Sequence, residues 1–417
     1  MHDIERSSRF LLALLAILWT ALSAQANTIT GQVVDTTGKP LAGAMVMIST
    51  AAPRVGVSVY CPSCYADCGK QAITDDEGRF ALSDLDPSLT FRLVAAADGH
   101  RAGRSETVDP LADKPKLWLD SLPDNLPPEN VVRGRVIDQD GKPVAGALVS
   151  PEGCKQGERR WWGSVNDADA FAITDDQGQF MITAASSADA YDLLVRSPRH
   201  AAKSFALVPT GQAQDLAVEL GTIVRGRLVA DGKPVAGAKL GLVQLDRSSE
   251  SFLGEHEIGT RDDGSFEFNY IPDAELYYIY TKMTDVGRSG ALPLRRVTVG
   301  DAAPTVEMGD LELGPAVSLA GRIELTDGKP VPGPLQLLIS REGAWDSQKT
   351  TVEGDGKFSF ENVPVNEPLT FVARVPGYRL SDRTRFQQIR ENSIAMYVEV
   401  PRDDIVIYYE PASDAQP

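Results

Sequence analysis

At 417 residues the chain has room for three or four domains of about 100–150 residues each. Its 58 acidic against 41 basic residues leave a formal charge of −17, which repels nucleic-acid phosphates and anionic lipid surfaces, so neither is expected as a partner. The 36 glycines and 27 prolines suit many short strands joined by turns, and the apolar residues recur in short alternating bursts.

The N-terminus reads as a secretory signal peptide over residues 1–26. Arg6 and Arg9 precede the apolar run Leu11–Ala24, and Ala24-Gln25-Ala26 forms a small-x-small cleavage pattern. The run is shorter than the ~20 residues a membrane span needs. No cysteine lies near the cleavage point to carry a lipid. The mature chain is therefore expected to be exported (periplasmic, secreted or cell-surface), with no membrane span after cleavage.

A repeat organises the rest. TTGKPLAGA (Thr36–Ala44), QDGKPVAGA (Gln139–Ala147), ADGKPVAGA (Ala230–Ala238) and TDGKPVPGP (Thr326–Pro334) place Lys39, Lys142, Lys233 and Lys329 at spacings of 103, 91 and 96 residues. Each unit is thus a whole small domain, far longer than a solenoid repeat. An alternating strand precedes each motif, with Ile29, Gly31 and Val33 on one face of the first, Val132, Gly134 and Val136 of the second, Val224, Gly226 and Leu228 of the third, and Leu319, Gly321 and Ile323 of the fourth. The shared glycine implies close approach by a neighbouring backbone or a bulky side chain. The Asp-Gly pair predicts a tight turn, and the small segment after the proline is expected to carry the chain to the opposite sheet.

A second signature follows: TDDEGRFAL from Thr74, TDDQGQFMI from Thr174, RDDGSFEF from Arg261 and EGDGKFSF from Glu353. Each predicts a hairpin turn and then a strand whose alternate residues, such as Phe80 and Leu82 or Phe180 and Ile182, enter a core. Many short strands with turn signals between them predict a sandwich.

The order of strand, GKP motif, TDDxGxF turn, apolar strand and Gly-Tyr-like loop (Pro376-Gly377-Tyr378 in the last unit) resembles the carboxypeptidase regulatory-like domain family, in four tandem copies. The resemblance implies an all-β chain of four seven-stranded, transthyretin-like (Ig-like) sandwiches: residues 27–122, 131–220, 221–314 and 315–410, with a Pro-rich linker at 123–130. Only the first joint is expected to flex, because the junctions Leu220-Gly221 and Leu313-Gly314 are short. A shared fold does not carry a shared function.

Peptidase chemistry does not transfer. His100, His200 and His256 are the histidines left after the leader, none has glutamate three places on, and Thr260 stands where His256-Glu257 would need a second ligand. No catalytic residue, cofactor or metal is assigned. His100 and His200 are expected to plug one end of their sandwiches, as Tyr378 would. The paired aspartates Asp75-Asp76, Asp175-Asp176 and Asp262-Asp263 fit turns better than calcium, which takes six to eight oxygens.

Two insertions break the repeat, and long loops on a rigid scaffold commonly carry binding. One holds Cys61, Cys64 and Cys68. The matching segment of the second unit holds Cys154, Arg159, Arg160, Trp161 and Trp162. In an oxidising compartment the four cysteines are expected to form two disulfides, with Cys154 pairing the odd member of the cluster across the first linker. A four-thiolate zinc site and a redox-active Cys61/Cys64 pair are the rivals. Trp161 and Trp162 are expected on a loop, either covering a domain junction or binding sugar. The function expected is non-catalytic: binding a protein partner or acting as a structural spacer. A carbohydrate-binding array, with Trp161, Trp162 and Trp345 stacking on polysaccharide, and a thiol-redox or metal-handling role are the alternatives.

Overall fold

The computed structural model describes residues 28–55, 65, 67–123, 125–163, 165, 167–184, 187–245, 253, 255–273, 276–285, 290–300, 304–390 and 392–412. The signal-peptide expectation, Cys61 and Cys64 lie outside these residues. The fold is all-β. Among the described residues the one helical element is a single 3-10 turn, Pro128–Asn130, and no helix is long and apolar enough to cross a membrane.

Eight sheets make four sandwiches, and each encloses its own apolar core. The cores run from Ile29 to Leu119, Val132 to Val218, Val224 to Leu311 and Leu319 to Tyr409. The chain divides into two compact units, one holding the sandwich up to Pro123 and the other the three that follow.

In every sandwich the strand before the GKP motif is central in its sheet. In the first, Ile29–Asp35 pairs antiparallel with Arg79–Leu82 and parallel with Lys116–Leu119. Val131–Ile137, Thr222–Ala230 and Ala316–Leu325 have the same two neighbours in their own units. The facing sheet of the first sandwich has the order Gln71–Ile73, Met45–Pro53, Leu89–Ala96, Gly103–Arg104. The GKP segment does carry the chain from one sheet to the other.

The register explains the shared glycine. Gly31, Gly134, Gly226 and Gly321 sit opposite Phe80, Phe180, Phe266 and Phe358, all buried. A Cβ on Gly134 would stand 2.1 Å from the Gln214 carbonyl oxygen and 3.1 Å from the Phe180 ring, and one on Gly31 would lie 2.6 Å from Phe80. Only glycine leaves room for both the neighbouring backbone and the ring.

Two details differ from expectation. Among the described residues only the first sandwich has seven strands. The second gains an edge strand, Arg159–Trp162, the third a short Lys233–Pro234, and the fourth two outer strands, Tyr378–Leu380 and Gln387–Arg390. These additions lie in turns and insertions, where no core constraint fixes strand number. The second half of the Pro-rich segment is also built into the second sandwich: Ala184 donates to the Asn130 carbonyl at 2.9 Å and Ala188 to that of Glu129 at 3.3 Å.

Candidate functional site

The first insertion is described in part. Cys68 is half-buried, its backbone N–H bonded to Tyr65 O at 2.9 Å. Burial, with neighbouring Asp67 adding to it, pushes its thiol up to about 11, the reverse of the depressed value of a reactive thiolate. Cys154 lies on the strand Leu148–Gln156 and not on a loop. It is 3% exposed, belongs to the second sandwich's core and carries a free thiol. Burial raises its thiol too, with Asp167, Asp192 and Asp189 contributing. Its sulfur turns into the core of its own sandwich, and Cys61 and Cys64, among its expected partners, lie outside the described residues. Cysteine spacing gives no sign of which strand face a residue takes.

Trp161 and Trp162 are outside the core, as expected, but on a strand. Residues Arg159–Trp162 fold back on Leu148–Gln156 through Gly157, whose φ of 59° glycine tolerates. The two indoles are 40% and 55% exposed, and Arg159 is exposed beside them. Arg160 grips Asp192 through Nε at 3.2 Å and a terminal nitrogen at 2.8 Å. Asp192, only 2% exposed, also accepts from the Leu207 N–H at 2.9 Å. The Arg160 guanidinium lies 4.6 Å from the centroid of the Trp162 ring, a cation–π arrangement.

Trp345 belongs to the joint between the third and fourth sandwiches. Its N–H donates to Tyr280 Oη at 2.9 Å and its carbonyl accepts from Lys282 Nζ at 2.9 Å. The residue is 38% exposed, and its backbone bonds across this joint. Arg341 stands at the centre with its side chain fully buried. It donates from Nε and Nη2 to Glu367 at 2.8 Å each, from Nη1 to the Thr281 carbonyl at 2.9 Å and Asp346 at 3.3 Å, and from Nη2 to the Leu292 carbonyl at 3.1 Å. All five guanidinium donors are thereby used. Glu367 also accepts from Leu294 N–H at 2.8 Å, and Asp346 from Met283 N–H at 3.1 Å. Burial raises the Asp346 carboxyl despite Arg341, and raises that of Glu255 despite Lys282.

The sequence reading missed this joint, yet a signal was present. Leu335, Leu337 and Ile339 alternate on the inward face of their strand, and Arg341 falls in the same phase; Glu367 shares its phase with Leu369 and Phe371. A charge at an inward position implies a buried partner. The glycines of the short junctions are tight as well. A Cβ on Gly221 would meet Ile271 O at 2.6 Å and Ala201 at 2.7 Å, and one on Gly290 would meet Gly314 O at 2.4 Å.

The remaining candidates serve turns. Asp75 Oδ1 accepts from the N–H groups of Glu77 and Arg79, and Asp175 Oδ1 from those of Gln177 and Gln179. In the third unit Asp263 takes this part, accepting from Ser265 N–H. Tyr378 Oη donates to Asp327 in the fourth GKP turn at 3.0 Å. The Asp35 carboxyl is held low chiefly by its hydrogen bond from Thr37 and that of Asp138 by the Lys142 N–H, with His100 and His200 adding the least. Tyr378 thus reaches its GKP turn, whereas His100 Nδ1 bonds to the Asp98 carbonyl at 2.7 Å and His200 Nδ1 lies 2.8 Å from Ser197 Oγ.

Residues 28–117 match the carboxypeptidase regulatory-like domain. No curated protein matches the chain. Among solved structures it is similar to a streptococcal ancillary pilin, at 11% identity and a TM-score of 0.24 over 68% of this chain and 100% of the pilin. A minor pilin of Streptococcus agalactiae, GBS52, gives 13% and 0.24 over 47% and 98%. The major pilin subunit BcpA of Bacillus cereus gives 9% and 0.20 over 69% and 99%. Likeness of this order carries no functional inference.

Proposed function

We propose that this is an exported, non-catalytic array of β-sandwiches that acts as a spacer, holding a protein partner at a set distance. The observation that carries this reading is the Arg341 joint. A spacer needs successive domains fixed to one another, and loosening this joint would strip the buried Arg341 guanidinium of the Thr281 and Leu292 carbonyls and its carboxylate partners of the Met283 and Leu294 N–H groups, all from the third sandwich. The repeat supports extension of the family match from residues 28–117 to the three later units. The match is to a regulatory-like domain, in keeping with a role outside catalysis. The thiol-redox alternative gains nothing from Cys68 and Cys154, both of whose thiols are raised by burial.

Denaturant unfolding of the full mature chain tests the reading. The third and fourth sandwiches should unfold together in the wild type, and Arg341→Ala should split their transition, at a cost of about 3–5 kcal/mol. Independent unfolding of the two sandwiches in the wild type would count against the spacer. Crosslinking in living cells should capture a protein partner.

A further inference from the structure

We infer that the cleft between the second and third sandwiches is a binding site for a neutral oligosaccharide, with Trp162 as its stacking platform. The cleft has a volume of about 660 Å³, within the range of ordinary small-ligand sites, which favour domain interfaces. Trp162, Arg160, Asp192, Lys203 and Phe205 line it from the second sandwich, and Asp273 from the third.

Three features point to this ligand class. The platform is pre-set: buried Asp192 holds Arg160 through two hydrogen bonds, and Arg160 stacks at 4.6 Å on an indole that is still 55% exposed. A ring fixed before binding loses little freedom when a ligand arrives. Both cations of the wall already have carboxylate partners. Arg160 pairs with Asp192 at 2.8 Å, and Lys203 pairs with Glu219, also in the cleft wall, at 2.5 Å. An anionic ligand would have to displace one of these partners, whereas a neutral one would not. The lining is amphipathic, with Trp162 and Phe205 beside both cationic donors and carboxylate acceptors. A sugar ring matches it, presenting an apolar C–H face to an aromatic ring and hydroxyls that both donate and accept.

The test is affinity electrophoresis of the full mature chain in gels containing dextran, mixed-linkage β-glucan or xylan, with alginate as the anionic arm. Retardation is expected in at least one neutral gel, unaffected by added salt. Trp162→Ala should lower the apparent affinity at least about tenfold, and Trp162→Phe should retain part of it. Lys203→Ala, on a different part of the cleft wall, should weaken binding without relying on the indole. Trp345→Ala, at the other joint, should leave retention unchanged, and melting curves of each variant separate lost binding from lost fold. The assignment is overturned by no retardation in any neutral gel, by equal retention of folded Trp162→Ala and Lys203→Ala, or by retardation in alginate alone that salt abolishes.

Discussion

Thr174 ties together two signatures that the sequence repeats. Its hydroxyl accepts from Ala147 N–H at 2.8 Å and donates to the Val144 carbonyl at 2.6 Å. It thereby clamps the start of the TDD turn to the segment after GKP. Thr74 does the same with Ala44 and Leu41, and Thr260 with Ala238 and Val235. In the fourth unit Val352 occupies the threonine position, and the alanine is Pro334, which has no N–H to offer. Both halves of the clamp are lost together, so no donor is stranded there. Thr174→Val should therefore destabilise by about 1–3 kcal/mol, since it orphans a buried donor and an acceptor. Val352→Thr should give no comparable gain. Denaturant midpoints of the two variants check both outcomes.

At the scale of elements, the two joints within the larger unit respond oppositely to pH. His256 lies on the edge strand Glu255–Gly259, its Nε2 buried without a hydrogen-bond partner. Burial, assisted by repulsion from Arg196 of the second sandwich, pushes its pKa down from 6.5 to about 4. The unfolded chain thus binds a proton more readily, so the stability due to neutral His256 is complete above pH 6.5 and is lost as pH falls through about 4. The loss should reach about 3 kcal/mol at most. His256→Gln should flatten the profile of unfolding free energy against pH in that window, and an unchanged slope would refute the assignment. Asp346 and Glu255, at the Arg341 joint, have raised carboxyls. Their contribution is present at acid pH and declines as pH rises through the folded values, so this joint is not an acid-released latch.

For the whole molecule, the Pro-rich segment has two parts of different character. Pro128–Asn130 is held to the second sandwich through the carbonyls of Glu129 and Asn130, while Leu122 N–H bonds to the Gly99 carbonyl of the first at 3.0 Å, so residues 123–127 form the connection between the two compact units. Limited proteolysis should cut there first and release a stable fragment of three sandwiches, identified by intact mass. The short junctions at Gly221 and Gly314 should resist, because cleavage needs several residues of extended backbone and these pack against neighbouring strands. First cuts at either of those junctions would contradict the close coupling of the second to fourth sandwiches.

The sequence by itself determined the β-sandwich class, the repeated strands, the close approach at the shared glycine and the turn role of the aspartates. Each of these rests on local chemistry: period-two alternation, positive φ, or a carboxylate capping its own turn. The tertiary structure decided what depends on which strand face or which neighbour a residue meets. It turned Cys154 inward, put Trp162 on an edge strand beside a cleft, and drew Trp345 into a joint. It also gathered Arg341, Asp346 and Glu367 with backbone groups of the third sandwich. Arg341 and Glu367 left a trace in strand phase, but their partners across the boundary left none. Contacts between domains are set by packing of distant segments, and periodicity within one strand carries no record of what lies beyond it.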